Sequence, residues 1–463
     1  GSNILDSFSY PYKMSNEDGE RMDVNSDESE DESADEHDEG SVGDGDEPKV
    51  YLPGQPLKDD EELLCDQSAY VMLHQTQTGA PCLSFDIIPD NLGNNREDFP
   101  MTAYLVAGTQ ASSAHLNNIL VMKLYNMHST NKPEDENSDD DADDDDEEEE
   151  DEEKKPQMTF SFIKHQGCVN RIRSTNFKNS VLVASWSELG RVEIWNITQQ
   201  LQAVNDPALL ERYNLETVKT PVKPLYSFNG HQQEGFGLAW SPTDSGVLAT
   251  GDCRKDIHIW TPNEAGTWNV NQQPLVGHTS SVEDLQWSPN ERNVLASCSV
   301  DRTIRIWDTR AAPQRACMLA REDAHDSDVN VISWNNTQPF IASGGDDGVL
   351  RVWDLRQFAQ RGAAVGTFKH HTAPVTSVEW HASEPSVLAT AGEDHQVALW
   401  DMAVERDDAD AIADEQLKDL PPQLLFIHQG QTDIKELHWH KQMPGVIVTT
   451  ANTGFNIFKT ISV

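Results

Sequence analysis

Short runs of β-branched and apolar residues, separated by polar turns, recur along most of the chain. One run reads Ile304-Arg305-Ile306 and another reads Val349-Leu350-Arg351-Val352, and each follows a turn that contains Asp. Runs of this length, bounded by Asp-Arg or Asp-Gly, predict short β-strands joined by tight turns. Because no continuous apolar stretch reaches about 18 residues, the sequence predicts no membrane-spanning helix.

Three residue markers recur at one common interval and group these strands into units. The first tryptophan series is spaced by 47, 46 and 47 residues, and a second tryptophan series and a histidine series keep the same phase. The three series are Trp260, Trp307, Trp353 and Trp400; Trp240, Trp287, Trp334 and Trp380; and His231, His278, His325 and His371. A unit of about 45 residues with four short strands is typical of a β-propeller blade.

Counting these units predicts an all-β, seven-bladed propeller over residues 80–463. Five units end at a tryptophan, the first of them at Trp195, and a sixth, degenerate unit ends at Phe458. The apolar runs within 102–124 supply a seventh blade. Seven blades close a ring and leave only short strand edges exposed. We expect the strand at 82–87, around Phe85, to complete the last blade and to join the two ends of the chain.

The formal charge of −45 is concentrated in two blocks. Residues 17–47 contain 16 acids and one base, and residues 134–153 contain 17 acids and no base. Such runs repel themselves and have nothing apolar to bury, so a disordered acidic tail over 1–50 and an acidic loop over 134–153 are expected. The first 13 residues are interpreted as non-native, with Met14 as the natural start.

Composition and spacing exclude several function classes. The acidic balance disfavours direct nucleic-acid binding, which needs a clustered positive surface. No phosphate-binding Gly-rich loop, nucleophile elbow or metal-ligand spacing occurs, so no enzyme, cofactor or metal site is expected. The six cysteines are widely spaced and include no Cys-x-x-Cys pair. They are interpreted as small apolar residues in a reducing compartment.

The segments Gly277-His278 and Trp307-Asp308, with the residues between them, resemble the WD-repeat family. In that family a His, a Ser or Thr, an Asp and the Trp of one blade form a hydrogen-bonded tetrad. The resemblance implies three tetrads here: His278, Ser297, Asp301 and Trp307; His325, Ser343, Asp347 and Trp353; and His371, Thr390, Asp394 and Trp400. Repetition around a ring favours a structural role over catalysis. Two blades depart, with Arg254 and Leu189 where the Asp is expected.

Finer features resemble the histone-binding subfamily of WD-repeat proteins. Gly230-His231 through Ala239-Trp240, and Pro421-Pro422 in a loop before the last blade, match that subfamily. Its members carry a helix before the propeller, and residues 59–75 match it, with acids in the first turn and an apolar stripe behind them. We therefore expect a helix over 59–75.

The same resemblance implies two binding surfaces. The first is a clamp between helix 59–75 and the acidic insertion 405–422, which in the relatives holds a basic amphipathic helix; an alternative is that the insertion is only a solvated loop. Its residues here are Leu63, Leu64, Tyr70, Val71, Asp407, Asp408, Asp410, Asp414, Glu415, Asp419, Pro421 and Pro422. The second surface is the channel on the narrow face of the ring, at Asn170, Arg171, Glu234, Phe236, Glu283 and Asn330. The clamp is predicted to be the main site.

The acidic runs, taken with these features, make the chain resemble the glutamate-rich WD-repeat family. That family is linked to ribosome assembly, as a chaperone of a basic large-subunit ribosomal protein, and to histone binding. The resemblance implies a non-enzymatic acidic chaperone located in the nucleus and nucleolus. A mobile polyanion attracts a cationic client over long range without precise contacts.

One alternative belongs to another functional class. The Trp-Asp-x-Arg segments that end at Arg310 and Arg356 match the pattern by which some propellers dock to a cullin-ligase adaptor. On that interpretation the chain is a substrate receptor of a ubiquitin ligase. The pattern also arises by chance in WD repeats, and the two functions can coexist.

Overall fold

Seven four-stranded antiparallel sheets form the seven blades of a β-propeller, as the repeat predicts. The structure is a computed structural model, and it describes residues 65–131, 153–359, 364–405 and 420–463. All the strands belong to one unit, Gln67–Val463. The predicted tail at 1–50 and most of the acidic loop 134–153 lie outside the described residues.

Each blade begins at the centre of the ring and ends at its rim. Blade 1 consists of β2 (Cys82–Ile87), β3 (Met101–Thr109), β4 (Asn118–Met127) and β5 (Gln157–Lys164); blade 2 of β6 (Val169–Phe177), β7 (Ser180–Ser187), β8 (Arg191–Asn196) and β9 (Tyr226–Phe228); blade 3 of β10 (Gly237–Trp240), β11 (Leu248–Gly251), β12 (Ile257–Pro262) and β13 (Trp268–Val270). Blade 4 consists of β14 (Val282–Trp287), β15 (Val294–Ser299), β16 (Ile304–Asp308) and β17 (Cys317–Arg321); blade 5 of β18 (Val329–Trp334), β19 (Phe340–Gly345), β20 (Val349–Asp354) and β21 (Gly366–Lys369). Blade 6 consists of β22 (Val375–Trp380), β23 (Val387–Gly392), β24 (Val397–Asp401) and β25 (Leu424–His428); blade 7 of β26 (Ile434–Trp439), β27 (Val446–Ala451), β28 (Gly454–Thr460) and β1 (Tyr70–Thr76).

The hydrophobic core lies between neighbouring sheets rather than inside any one of them. Cys298 and Ile306 of blade 4, for example, pack in one cluster with Ile332 and Trp353 of blade 5. Strand residues alternate between the two faces of a sheet, so every blade buries apolar side chains against both of its neighbours. A single blade therefore has no complete core, and the ring folds as one unit.

The three predicted tetrads form. In blade 4, His278 Nδ1 lies 2.9 Å from Asp301 Oδ2, His278 Nε2 lies 2.6 Å from Ser297 Oγ, and Trp307 Nε1 donates to Ser297 Oγ at 2.8 Å. The corresponding contacts occur in the blades that end with β21 and β25. These buried polar groups satisfy one another and tie the outer loop of each blade to its third strand.

Blade 3 has a tetrad that the sequence pattern did not identify. Asp252, two residues before Arg254, accepts at 2.7 Å from His231 Nδ1, while His231 Nε2 lies 2.8 Å from Thr250 Oγ1. The expectation that Arg254 breaks the tetrad is therefore wrong, because the shorter turn brings a different carboxylate to the histidine. In blade 2, where Leu189 replaces the Asp, His165 Nδ1 lies 3.0 Å from the carbonyl oxygen of Gly167 instead.

The ring closes through a strand other than the predicted one. Strand β1 pairs antiparallel with β28, from Tyr70 opposite Thr460 to Thr76 opposite Phe455. Strand β2, around Phe85, is the inner strand of blade 1 and pairs with β3. The assignment of 82–87 as the closing strand, and the start of the propeller at residue 80, are therefore wrong. An earlier segment covers the free edge of β28 and leaves 82–87 to begin a complete new sheet.

The helix predicted over 59–75 is not present in its described part. Gln67–Ala69 forms one turn of 3-10 helix, and Tyr70–Thr76 is the strand β1; residues 59–64 lie outside the described residues. The apolar residues around Met72 suit a strand with both faces covered as well as they suit a helix. Pairing with the exposed edge of β28 overrides local helical propensity.

Two helices interrupt blade 2 between β8 and β9, and the sequence did not predict them. Helix α1 spans Thr198–Ala203 and helix α2 spans Pro207–Lys219. The side chain of Asp206 caps α2 by accepting from the backbone N–H groups of Ala208 and Leu209, and Pro207 occupies its first turn, where no N–H is needed. Within the part of the chain that the structure describes, no helix is both long and apolar enough to cross a membrane.

Candidate binding surfaces

A β-bulge near the start of the inner strand is the feature that places most of the predicted channel residues. The inner strands of neighbouring blades contact one another around the ring, so they line its centre. In six of the seven inner strands the second residue has no partner in the ladder. These unpaired residues are Leu83, Asn170, Glu283, Asn330, Thr376 and Lys435. A bulge turns the extra side chain out of the regular alternation, and three of the six predicted channel residues occupy such positions.

Four carboxylates gather at the narrow face of the channel, and we call them the narrow-face carboxylates: Glu234, Glu283, Asp328 and Asp346. Asn170 Nδ2 donates to Glu234 Oε2 at 2.9 Å, and Asn330 Nδ2 donates to Asp346 Oδ1 at 2.8 Å. Burial raises the pKa of Glu283, and the nearby charges of Asp328 and Asp346 raise it further. Among the residues that the structure describes, none of these four carboxylates forms a salt bridge.

Arg171 and Phe236, also predicted for the channel, serve mainly to build it. Arg171 Nε donates to the carbonyl oxygen of Phe236 at 3.0 Å, and Arg171 Nη1 donates to Glu436 Oε1 at 2.8 Å. The half-buried ring of Phe236 stands next to Glu234 in the chain. A cation that pairs with the narrow-face carboxylates would thus meet an aromatic side chain on the same loop.

Glu436 is the centre of an ionic network deeper in the channel, and the sequence analysis missed it. Its Oε1 accepts from Arg171 and, at 2.6 Å, from Arg173, while its Oε2 accepts at 2.7 Å from Ser84 Oγ and at 2.8 Å from the backbone N–H of Phe85. The network therefore joins blades 7, 1 and 2, on both sides of the ring closure. Alternation along the inner strand contains the missing signal, because Ser84, Arg171 and Glu436 share one position, one residue after the bulge.

Electrostatics maintain this network in its charged form. Burial alone would raise the pKa of Glu436, but Arg173, His438 and Arg171 together hold it well below its usual range. His438 lies 2.7 Å from Glu379 Oε2, and the carboxylates of Glu379 and Glu436 outweigh burial and raise the pKa of His438 to about 9. These charges compensate one another, whereas the narrow-face carboxylates do not have that compensation.

The structure describes only part of the predicted clamp. Tyr70 is buried in blade 7, where its hydroxyl lies 2.8 Å from His428 Nδ1 and its ring meets Phe426 and Phe458 edge-on. Val71 is half-buried in the same strand, and Pro421 and Pro422 precede β25. The remaining clamp residues lie outside the described residues: Leu63, Leu64, Asp407, Asp408, Asp410, Asp414, Glu415 and Asp419. Tyr70 therefore belongs to the closure of the ring rather than to an open surface.

The two arginines proposed for ligase docking are exposed on the opposite, wide face. Arg310 Nη2 lies 2.7 Å from Asp308 Oδ2, and Arg356 Nη2 lies 2.7 Å from Asp354 Oδ2. Each guanidinium donates through a second nitrogen to the same carboxylate, so each is held in a two-pronged contact within its own turn. Within the described ranges, no group of three or more His, Cys, Asp or Glu side chains is arranged to hold a metal ion.

Comparison with known protein families agrees with this architecture. Residues 60–128 match the family described by histone-binding protein RBBP4 and its counterpart in the CAF1 complex. Residues 269–308, 317–354 and 362–401 match the WD domain, G-beta repeat. These last matches cover blades 4 to 6, in which the three predicted tetrads lie.

Three curated relatives align with nearly the whole chain. Protein HEAT STRESS TOLERANT DWD 1 of Arabidopsis thaliana is 44% identical over 88% of this chain and 90% of its own length. Ribosome assembly protein rrb1 of Schizosaccharomyces pombe is 42% identical over 92% of this chain and 87% of its own. Glutamate-rich WD repeat-containing protein 1 of Dictyostelium discoideum is 44% identical over 89% of this chain and 85% of its own. The chain therefore belongs to the family of WD-repeat propellers that includes glutamate-rich WD repeat-containing protein 1 and ribosome assembly protein rrb1.

Proposed function

We propose that this protein is a nuclear chaperone that binds a basic protein client during ribosome assembly. The client we propose is a large-subunit ribosomal protein, with core histones as a second class. Support comes from the relative named for ribosome assembly, from the match to a histone-binding family, and from the chain's excess of 79 acids over 34 bases. A nucleolar location follows from such a client and is part of the proposal.

The observation that carries the proposal is the lack of counter-charge at the narrow-face carboxylates. Four carboxylates stand together there, and the pKa values of Glu283 and Asp328 are raised, first by burial and then by neighbouring carboxylates. The nearest deep cation, Arg171, is already engaged by Glu436. A Lys or Arg side chain of a client would supply the missing positive charge and form charge-assisted hydrogen bonds.

The clamp between residues 59–75 and 405–422 remains a second proposed surface. Its acidic residues lie outside the described part of the chain, and Tyr70 is committed to the ring closure. We therefore place the main contact for the client on the narrow face, where the geometry offers unpaired carboxylates. The acidic blocks at 17–47 and 134–153 would speed the capture of the client by long-range attraction, an effect that falls as salt screens it.

The ligase-receptor alternative is not favoured. Arg310 and Arg356 are each held by a carboxylate two residues earlier, and docking to an adaptor through these groups would have to replace those contacts. One relative is named for ribosome assembly over 92% of this chain. Chaperoning therefore accounts for more of the observations.

Affinity for a purified basic large-subunit ribosomal protein tests the proposal directly. We expect the variant E234Q/E283Q/D328N/D346N to bind it at least about tenfold more weakly in isothermal titration calorimetry, because several charge pairs of about 0.2–1 kcal/mol are lost together. The matched variant D407A/D408A/D410A/D414A removes the same number of charges from the clamp. If the clamp variant loses binding while the narrow-face variant keeps it, the client sits on the clamp and our assignment is wrong.

A further inference from the structure

A groove on the outer rim of the ring runs between helix α2 and strand β5, the outermost strand of blade 1. It is lined by Phe162, Ile163, Lys164, Thr217, Val218, Pro221 and Val222. Its volume is about 140 Å³, whereas pockets for small molecules measure roughly 300–1,000 Å³. The groove is therefore too small for a cofactor and suits one or two apolar side chains.

The wall of the groove that α2 forms is fixed to the propeller. Tyr213, the buried residue of α2, donates its hydroxyl hydrogen to the carbonyl oxygen of Phe162 at 3.0 Å. Gln200 of α1 donates through Nε2 to that same hydroxyl at 2.9 Å. These bonds hold the helix against the edge strand, so the groove exists before anything binds it.

Next to the groove, α2 exposes apolar side chains that the fold does not use. Val218 is 84% exposed and Leu215 is 62% exposed. They are three residues apart, so they lie on one face of the helix. Single exposed apolar residues are ordinary, but a pair beside an apolar groove extends that groove into a continuous apolar strip.

Three exposed lysines surround the strip, namely Lys164, Lys219 and Lys223. Lys164 Nζ lies 5.5 Å from the centre of the Phe162 ring, which lines the groove. No described acidic residue lies within ion-pairing distance of any of the three. Glu216 on the same helix is 3.9 Å from Arg212, so its charge is already partnered. In a chain with 79 acids and 34 bases, three unpaired lysines around one apolar strip form a local reversal of charge.

We propose that this strip is a docking site for an acidic amphipathic peptide segment of a partner protein. Apolar side chains of the peptide fill the groove and cover Leu215 and Val218, while its carboxylates pair with the three lysines. Single-stranded RNA also carries negative charge, but the lining offers it apolar carbons and the whole chain, at −45, repels it. The proposal does not depend on the proposed function, because a basic client and an acidic partner would use different surfaces.

Fluorescence anisotropy of a labelled synthetic peptide tests the proposal on the full-length chain. The probe is a 14-residue peptide in which Asp and Glu alternate with Leu and Phe; two control peptides replace either the acids with Lys or the apolar residues with Ser. We expect micromolar binding of the probe alone. We expect K164S/K219S/K223S and L215S/V218S each to weaken it about tenfold or more, the lysine variant more strongly at low salt.

The matched control variant is R315S/K369S/K441S, which removes three exposed positive charges from other parts of the ring and should bind the probe as the wild type does. The substituted side chains are exposed, so the fold is expected to survive, and an unchanged melting temperature checks this. Equal loss in the control variant would reduce the effect to net charge and overturn the proposal. Displacement of the probe by a 15-nucleotide oligouridylate, or binding seen only after deletion of residues 134–153, would also overturn it, by assigning the strip to RNA or to the chain's own acidic loop.

Discussion

At the scale of single residues, Glu436 shows how a buried charge is stabilised by the ring. Its two carboxylate oxygens accept from two arginines, one serine and one backbone N–H group that belong to blades 1 and 2. Such a network contributes little when it is compared with a purely apolar core, but removing one partner leaves the others buried without compensation. Glu436 thus acts on stability through what its loss would leave behind.

We expect Glu436→Gln to lower the free energy of unfolding by about 3–5 kcal/mol, the usual cost of breaking a buried ion pair. Arg171, Arg173 and His438 would then share the channel without a carboxylate between them. Urea denaturation followed by tryptophan fluorescence measures the loss. Asp308→Asn is the control, because its partner Arg310 is 68% exposed and its loss should leave the urea midpoint unchanged. Equal midpoints for wild type and Glu436→Gln would contradict the role of the network.

At the scale of elements, the first strand and the last strand of the chain share one sheet. Strand β1 covers the edge of β28, and the Tyr70 hydroxyl meets His428 of blade 6. On its other side, β1 receives bonds from the segment after β4, where the backbone N–H of Thr130 donates to the carbonyl oxygen of Val71 at 3.1 Å. Closure therefore depends on a single short strand held from three sides.

Two truncations separate this closing strand from the acidic N-terminal segment. A chain that begins at residue 66 keeps β1 and should retain the full melting temperature. A chain that begins at residue 78 loses β1, exposes the edge of β28 and should melt lower or aggregate, because an unpaired edge strand recruits other chains. Differential scanning fluorimetry and size-exclusion chromatography report the two outcomes. If the shorter chain stays monomeric with an unchanged melting temperature, β1 is not the closing strand that the ring needs.

At the scale of the whole molecule, several buried histidines couple stability to pH. Burial lowers the pKa of His428 to about 3 and those of His165 and His440 to about 4. The unfolded chain takes up protons at these residues below its ordinary pKa of about 6.5, while the folded chain does not. His438 has the opposite sign, and its contribution is fully present below that pH.

We therefore expect the melting temperature to fall as pH is lowered from about 6.5 to about 5, a range in which most carboxylates stay ionised. His428→Gln should melt lower than the wild type at neutral pH, because it loses a partner of Tyr70, and its melting temperature should depend less on pH. Calorimetric scans of both proteins across this range measure the two slopes. Identical slopes would exclude His428 as one of the groups that couple folding to protons.

Much of the blade architecture could be predicted from the sequence because each blade repeats the same local pattern. The regular spacing of tryptophan and histidine predicted the units, and His278, Asp301 and Trp307 were correctly assigned to one tetrad. Asn170, Glu283 and Asn330 were expected at the channel, and they occupy the bulges of their inner strands. All of these depend on residues within one blade or on the position that blades share.

What only the tertiary structure decided concerns contacts between distant parts of the chain. The helix expected over 59–75 became a strand because its partner, β28, lies almost the whole chain away. Asp252 took the place expected for an aspartate at Arg254 because turn geometry, not alignment, decides which carboxylate reaches the histidine. The Glu436 network joins three blades, and α2 rests on the edge of a neighbouring blade. Local patterns determine the strands and turns of each blade, whereas pairing across the ring depends on which edges and charges remain unsatisfied once the blades have assembled.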